Sequence, residues 1–266
     1  MILSIDLGTT SISACIYDPH RDEVVCSEES SNDSVIPSLP AGRHEQSPNA
    51  ILDIAYELMA SLSRQSGVSP ELIQGVSVTG QQHGIVVVDK CGNPLTNLIT
   101  WRDQRTVSLP NPLRNHEHVT DTGCFLHSGY GGLTLHHLIC HGELPDDACG
   151  VLPITGLLTA GLTGRGTVDE TMAASWGIFD VKSSRWQTPL LEVLGIPVRL
   201  LPPIVPSCRP LGSIINPHSS GLLPGTMVYS PVGDNQAGFA GVGDDSKAVV
   251  SLGTSSQLSV FSRDYS

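Results

Sequence analysis

The feature that most constrains this chain is a strand–glycine–hydroxyl–strand unit at its start. Residues 4–13 read Ser-Ile-Asp-Leu-Gly-Thr-Thr-Ser-Ile-Ser. An apolar strand runs into Asp6, turns at Gly8, passes two hydroxyl residues and enters a second strand. Gly8 lets the backbone turn tightly and approach an anion. Thr9 and Thr10 can donate hydroxyls to phosphate oxygens. Asp6 at a strand end can hold hydrated Mg²⁺, a cation that takes a carboxylate and keeps its waters. Taken alone, the same residues also fit an ordinary polar hairpin turn.

A similar unit recurs far down the chain. Residues 249–258 read Val-Val-Ser-Leu-Gly-Thr-Ser-Ser-Gln-Leu, so a β-branched strand meets Gly253 and then Thr254, Ser255 and Ser256. Between the two units, the apolar run 227–232 delivers a lone carboxylate, Asp234, to an Ala/Gly-rich segment. Two glycine–hydroxyl loops and an isolated aspartate imply an ATP-dependent phosphoryl transferase. It would lack a Walker A loop, because Gly-x-x-x-x-Gly-Lys-Ser/Thr does not occur.

Periodicity places the remaining elements. Segments 2–7, 11–18 and 23–29 predict three sequential strands in an antiparallel meander. Segment 30–47 reads as loop. A helix is expected from Pro48 to about Ser66, since Ile51, Leu52, Ala55, Leu58, Met59 and Leu62 recur at helical spacing. Strands are expected at 73–78, 85–88 and 227–232, and helices at 133–141, 150–162 and 188–194. Segment 196–225 is rich in proline and reads as loop with short strands. The predicted fold is mixed α/β, a meander with helices on both faces. The loops at Gly8, His83 and Asp234 are expected to gather at one sheet edge. One glycine–hydroxyl loop per lobe makes 1–245 a first lobe and 246–266 the start of a second. A two-stranded hairpin with no sheet to join is marginal, so self-association is an expectation.

Charge narrows the partners. Lys and Arg number 14 against 26 Asp and Glu, a net charge of −12. Such a surface argues against nucleic acid, which needs a basic stripe, and against an anionic membrane. No apolar run reaches the length of a membrane span. A cytoplasmic protein acting on a small molecule is the expectation. The 7 cysteines form no Cys-x-x-Cys and read as reduced thiols. His137 and His141, with Cys140 beside them, could start a zinc site, but no third and fourth ligand follow at the usual spacing. A mixed face on a surface helix is the preferred reading.

Five segments then occur together and in order: Ile5-Asp6-Leu7-Gly8-Thr9-Thr10, Gly80-Gln81-Gln82-His83-Gly84, Trp101-Arg102-Asp103-Gln104-Arg105, Gly233-Asp234-Asn235-Gln236-Ala237-Gly238 and Ser251-Leu252-Gly253-Thr254-Ser255. In order and spacing the chain resembles the N-terminal half of the FGGY family of carbohydrate kinases. Within that family, Ser128–Thr134 and Ala173–Phe179 are most similar to the sedoheptulokinases, and xylulokinase-like enzymes share most of the same features. The resemblance implies an actin/hexokinase-like (ribonuclease H-like) sugar-kinase lobe that uses ATP and Mg²⁺. It implies Asp234 as the base that accepts the proton of the attacking sugar hydroxyl, and Asp6 as the Mg²⁺ residue. Gly8, Thr9, Thr10, Gly253, Thr254 and Ser255 would meet the phosphates. Gln82, His83, Trp101, Asp103 and Asn235 would shape the sugar site. Other readings stand beside these: Trp101 as core, and Asp103 and Arg105 as a solvated ion pair. Asp169 reads equally as a residue of the family pattern and as a surface-loop carboxylate. A non-catalytic sugar-binding protein is the alternative function.

Overall fold

The computed structural model describes residues 1–65, 67–108, 122–242, 248–252 and 256–260. Its centre is a sheet whose first strand, β1 (Ile2–Leu7), buries Leu3, Ile5 and Leu7 and leaves Ser4 and Asp6 half-buried. This is the period-2 alternation of a strand with one face on a core. β2 (Ser11–Asp18) pairs antiparallel with β1, from Ile2↔Tyr17 to Leu7↔Ile12. β3 (Glu23–Ser31) continues the meander on the other side of β2. β4 (Gly75–Gly80) lies parallel to β1, from Ile2↔Gly75 to Leu7↔Gly80. The sheet is completed by β5 (Pro210–Ser213), β6 (Met227–Tyr229) and β7 (Val232–Gly233); β6 and β7 both pair parallel with β4. Strand order runs β5-β6-β4-β1-β2-β3, with β7 beside the far end of β4.

The strand expected over 227–232 is thus two short ones. Pro231 stands at the break and has no N–H to give the ladder. Ser230 also turns away, its amide donating to Arg209 O at 2.8 Å and its hydroxyl to Pro206 O at 2.7 Å.

Six helices are described: α1 (Pro48–Gln65), α2 (Gly131–Cys140), α3 (Ile154–Thr163), α4 (Glu170–Ala174), α5 (Thr188–Leu194) and α6 (Asp234–Val242). α1 matches its expectation up to Gln65; Ser66 lies outside the described residues. The helix expected over 150–162 needs correction. Residues Gly150–Leu152 form a short strand paired with Val86–Val88, and α3 starts only after Pro153. Gly164, at φ +72°, ends α3 in the left-handed conformation common at helix C-termini.

Leu3, Ile5 and Leu7 pack in one core with Ile51, Ala55 and Met59 of α1 and Leu157, Leu158 and Leu162 of α3. Each such side chain contributes about 1.5–3 kcal/mol of burial. α1 and α3 both pack against this face of the sheet, and α6 follows β7 at the sheet's edge. Ser4, Asp6, Ser13, Cys15, Glu29 and Thr79 line a shallow cleft of about 340 Å³ on the opposite face. A second core gathers Ile85, Val87, Leu133, Leu138, Trp176, Leu190 and Leu194, so α2 and α5 pack there. Val249–Leu252 and Ser256–Ser259 form a hairpin that is its own two-stranded sheet. Its Val250 and Leu258 are 59% and 68% exposed.

Candidate functional site

Three parallel strands, β1, β4 and β7, end at the same edge of the sheet. Gly80 at the end of β4 has Leu7 on one side and Gly233 on the other. Strands in a sheet are about 4.8 Å apart, so β1 and β7 are roughly 10 Å apart across β4. Asp6 lies in β1 just before Leu7, and Asp234 follows the end of β7 at Gly233, so the two carboxylates come from the segments flanking one glycine. Gly80 is required there, because a Cβ would sit 2.9 Å from both Leu7 O and Thr155 Cγ2. The crevice outside the carboxyl ends of the strands is where open α/β sheets bind ligands.

Asp234 closes β7 and opens α6. Burial pushes its pKa up to about 6; the Asn235 amide, donating to Oδ1 at 2.8 Å, works against that shift, and the charge of Asp6 adds to it. The carboxylate is therefore ionised at neutral pH yet close to the range of an effective general base. Asp6 is also pushed above the usual carboxylate range, first by burial and then by Glu29. Its Oδ1 is buried without a protein partner. A buried, unpartnered carboxylate oxygen beside a second carboxylate fits a hard cation that carries its own waters.

The Gly8 turn is clamped from four sides. Asn32 Nδ2 donates to Gly8 O at 2.8 Å, and Gln46 Nε2 donates to Thr9 O at 2.9 Å. Trp101 Nε1 donates to Thr9 Oγ1 at 2.9 Å, and that hydroxyl donates in turn to Gln81 Oε1 at 3.2 Å. Gln81 Nε2 closes the ring on Gln46 Oε1 at 3.0 Å. A hydroxyl has one proton, and here Thr9 has committed it within the protein. Thr10 is exposed and keeps its donor. Gly253, Thr254 and Ser255 lie outside the described residues.

Of the residues expected to shape a sugar site, the structure brings Gln82 to Asn235, the neighbour of Asp234, and places His83 next in sequence to Gln82. Asn235 Nδ2 donates to Gln82 Oε1 at 2.9 Å, and Gln82 Nε2 donates to Thr171 O at 3.2 Å. His83 has φ +70°, a conformation uncommon outside glycine. Its amide donates to Ser175 Oγ at 3.0 Å and its Nδ1 lies 2.7 Å from Ser175 O. A carbonyl can only accept, so Nδ1 carries the proton and Nε2 of the neutral ring is an acceptor. The ring stacks on Tyr130, centroids 4.2 Å apart. Burial lowers the His83 pKa; the bond to Ser175 opposes this and His127 adds to it. The expected result is a ring still neutral at neutral pH, gaining its proton only below the usual 6.5. The proton's cost appears as stability lost on acidification; ¹⁵N NMR of the ring checks it.

Trp101 is half-buried, and its indole N–H faces the Gly8 turn. Asp103 is not brought into this group. It is 1% exposed. Its Oδ1 accepts from Arg105 N and Nε, and its Oδ2 from His44 N and the Arg105 guanidinium. Those four donors use the lone pairs a carboxylate has, so none is left for a sugar hydroxyl. The pair is buried rather than solvated, and Arg105 reaches on to Glu45 at 2.6 Å.

Asp169 is corrected from a surface carboxylate to a fully buried helix cap. The sequence reading missed Thr171, Ser175 and Tyr130, which hold Gln82 and His83. The usable signal was Asp169 ahead of the run Thr171-Met172-Ala173, a helix start. Among the described residues, no three His, Cys, Asp or Glu side chains group as a metal site, and no helix is long and apolar enough to cross a membrane. A cleft of about 910 Å³ elsewhere, lined by Tyr56, Lys90, Arg199 and His218 among others, contains none of these site residues. The site is recognised by its converging polar groups rather than by the volume of a cleft.

Comparison with known proteins gives a consistent result. A family model described as the N-terminal domain of the FGGY family of carbohydrate kinases matches residues 1–241. The xylulose kinase of Bacillus subtilis (strain 168) is 29% identical over 266 residues, covering 96% of this chain and 52% of that protein. The sedoheptulokinase of Homo sapiens is 30% identical over 296 aligned residues, covering 96% of this chain and 58% of the relative. The crystal structure of ligand-bound xylulose kinase from Lactobacillus acidophilus superposes with a TM-score of 0.84 at 25% identity, covering 97% of this chain and 53% of that one. The chain thus spans about half the length of the curated relatives it matches.

Proposed function

Since the chain belongs to the FGGY family of carbohydrate kinases, with the mixed α/β, actin/hexokinase-like fold of that family, we propose that it is the sugar-binding lobe of an ATP-dependent kinase acting on a ketose. Residues 1–245 form that lobe, and 246–266 begin the nucleotide-binding one. The observation that carries this reading is the pair Asp6, in β1, and Asp234, just after β7, on either side of Gly80, with Gln82 and Asn235 bonded beside Asp234.

The chemistry follows from what each group can do. Asp234, ionised above about pH 6, accepts the proton of the attacking hydroxyl as that oxygen bonds to the γ-phosphorus and the bond from that phosphorus to the β,γ-bridging oxygen breaks, with ADP as the leaving group. Gln82, Asn235 and the His83 Nε2 acceptor hold the remaining hydroxyls, and Trp101 offers an apolar face to the sugar carbons. Thr10 and the Gly8 backbone meet the phosphates. Mg²⁺, held by Asp6 through water, would neutralise charge on the transferring group. Phosphoryl transfer is mostly positioning and charge neutralisation, so one base, one metal and two donor loops suffice; this chain by itself, with only the start of the nucleotide-binding lobe, is proposed to be inactive. A sugar-binding protein without catalysis has no need for a half-buried carboxylate whose ionisation burial opposes.

Sedoheptulose, phosphorylated at its 7-hydroxyl, is the proposed substrate. Support comes from Ser128–Thr134 and Ala173–Phe179 and from the human relative. A xylulose-type specificity is the second reading, supported by the Bacillus relative at near-equal identity. The proposed setting is the cytoplasm, with the exposed apolar residues of the 249–259 hairpin favouring self-association of this chain.

The test is a calorimetric titration of the chain with sedoheptulose, xylulose, ribulose, gluconate and glycerol, joined to a phosphorylation screen on a kinase that contains this lobe. Binding of one ketose, lost in Gln82→Ala, is expected. No binding of any of these sugars overturns the proposal.

A further inference from the structure

Thr171 lies where three segments of the site meet. Its hydroxyl donates to Asp169 Oδ2 at 2.7 Å and accepts the Gly233 amide at 2.8 Å. Its carbonyl accepts Gln82 Nε2 at 3.2 Å. Gln82 Oε1 accepts Asn235 Nδ2 at 2.9 Å. Gly233 and Asn235 are the neighbours of Asp234 on either side. The bonds therefore close a ring: Thr171 to Gly233, along the chain through Asp234 to Asn235, across to Gln82 and back to Thr171.

Asp169 decides which way the Thr171 hydroxyl points. The carboxylate is 0% exposed and accepts four donors. They are Thr171 N at 3.2 Å, Met172 N at 3.0 Å, Thr171 Oγ1 at 2.7 Å and Ser207 Oγ at 2.6 Å. With its single proton drawn to Asp169, the hydroxyl presents only lone pairs to Gly233. The ring is also tight. A Cβ added at Gly233 would stand 2.3 Å from Gln82 Nε2, so Gly233 and Gln82 pack with nothing between them. Asp169, Gln82 and Gly233 are buried, Thr171 half-buried and Asn235 exposed; hydrogen-bonded networks anchored on buried groups favour one arrangement.

We infer that Asp169 and Thr171 are positioning residues that fix Asp234 and Gln82 relative to each other, so that the base and its neighbouring sugar donor are held as one unit. The inference rests on the reading of Asp234 as base, but its content is geometric and its test reads position rather than turnover.

The experiment is NMR on this chain with Thr171→Val, which keeps the shape and removes the hydroxyl. The Gly233 amide is expected to exchange with solvent about 10-fold faster or more, as local opening becomes easier. The Asp234 carboxyl carbon and the Asn235 side-chain amide are expected to shift, while Val76 and Val78 in β4 keep their protection. Thr171→Ser is expected to restore all three signals, which general loosening of the fold would not do. Wild-type exchange and shifts in Thr171→Val, or no restoration by Thr171→Ser, overturn the inference. If Thr171→Val does not fold, Ser207→Ala removes one donor to Asp169 and must move the same resonances; unchanged spectra there overturn it. In the unsubstituted chain, a Gly233 amide exchanging much faster than Val76 and Val78 also overturns it. A kinase found to act on none of the sugars leaves these spectra untouched, so the two readings fail separately.

Discussion

Asp234→Asn, introduced into a kinase containing this lobe, is expected to lower turnover about 10²-fold or more while changing sugar affinity modestly. The amide keeps the volume and one acceptor but cannot take the proton. Turnover within a small factor of the unsubstituted enzyme removes Asp234 as base. The same substitution has an opposite effect on the fold. Burial holds the folded-state pKa at about 6, above the reference value of 3.8. The raised value means that the neutral form is favoured in the fold. Stability is full at pH values below both, declines as pH rises from 3.8 to about 6, and stays lower beyond. Asn carries no charge, so the variant is expected to be more stable at neutral pH by about 1 kcal/mol, a value discounted for the partial exposure of the carboxylate. Denaturant titrations at acid and neutral pH read this directly. An equal difference at both overturns the electrostatic account.

Gly129→Ala is expected to cost about 3 kcal/mol or more of stability. Gly129 has φ +84°, and an added Cβ would stand 2.1 Å from Trp101 O. Neither atom belongs to a flexible side chain that can swing away, so the two backbone segments must separate. Trp101 then loses its seat and its bond to Thr9, and sugar affinity is expected to fall with stability. Chemical denaturation with tryptophan fluorescence measures both. A midpoint equal to that of the unsubstituted chain shows that the two segments are not in contact in solution.

Alternation of apolar and polar residues made the meander legible, because Leu3, Ile5 and Leu7 must share a face. Glycines next to hydroxyl residues marked the Gly8 turn, and a lone carboxylate after an apolar run marked Asp234. The boundaries that were misread sit at prolines. Pro153 separates a short strand from α3, and Pro231 splits the strand that leads to Asp234. Both interrupt runs whose hydropathy alone looks continuous. The network behind the site was less legible, for a different reason. Thr171 meets Gly233, 62 positions away in sequence, and no local pattern encodes such a bond. Asp103 illustrates the same limit. The family resemblance implied a sugar ligand there, but one of the donors that fill it, the His44 amide, is 59 positions distant. Satisfied acceptors can be counted only once the chain is folded.

The ring through Thr9 has a consequence for how such a lobe can change over generations. Thr9, Gln46, Gln81 and Trp101 share a single set of protons, passed from indole to hydroxyl to amide to carbonyl. Replacing any one strands a donor or an acceptor belonging to another. A lineage adapting to a new substrate can therefore redraw exposed positions outside this ring independently. These four it must inherit together. They constitute a single heritable character spread over 93 positions of sequence (Thr9 to Trp101), and a substitution at Trp101 must also satisfy the Gly8 turn that its indole N–H holds.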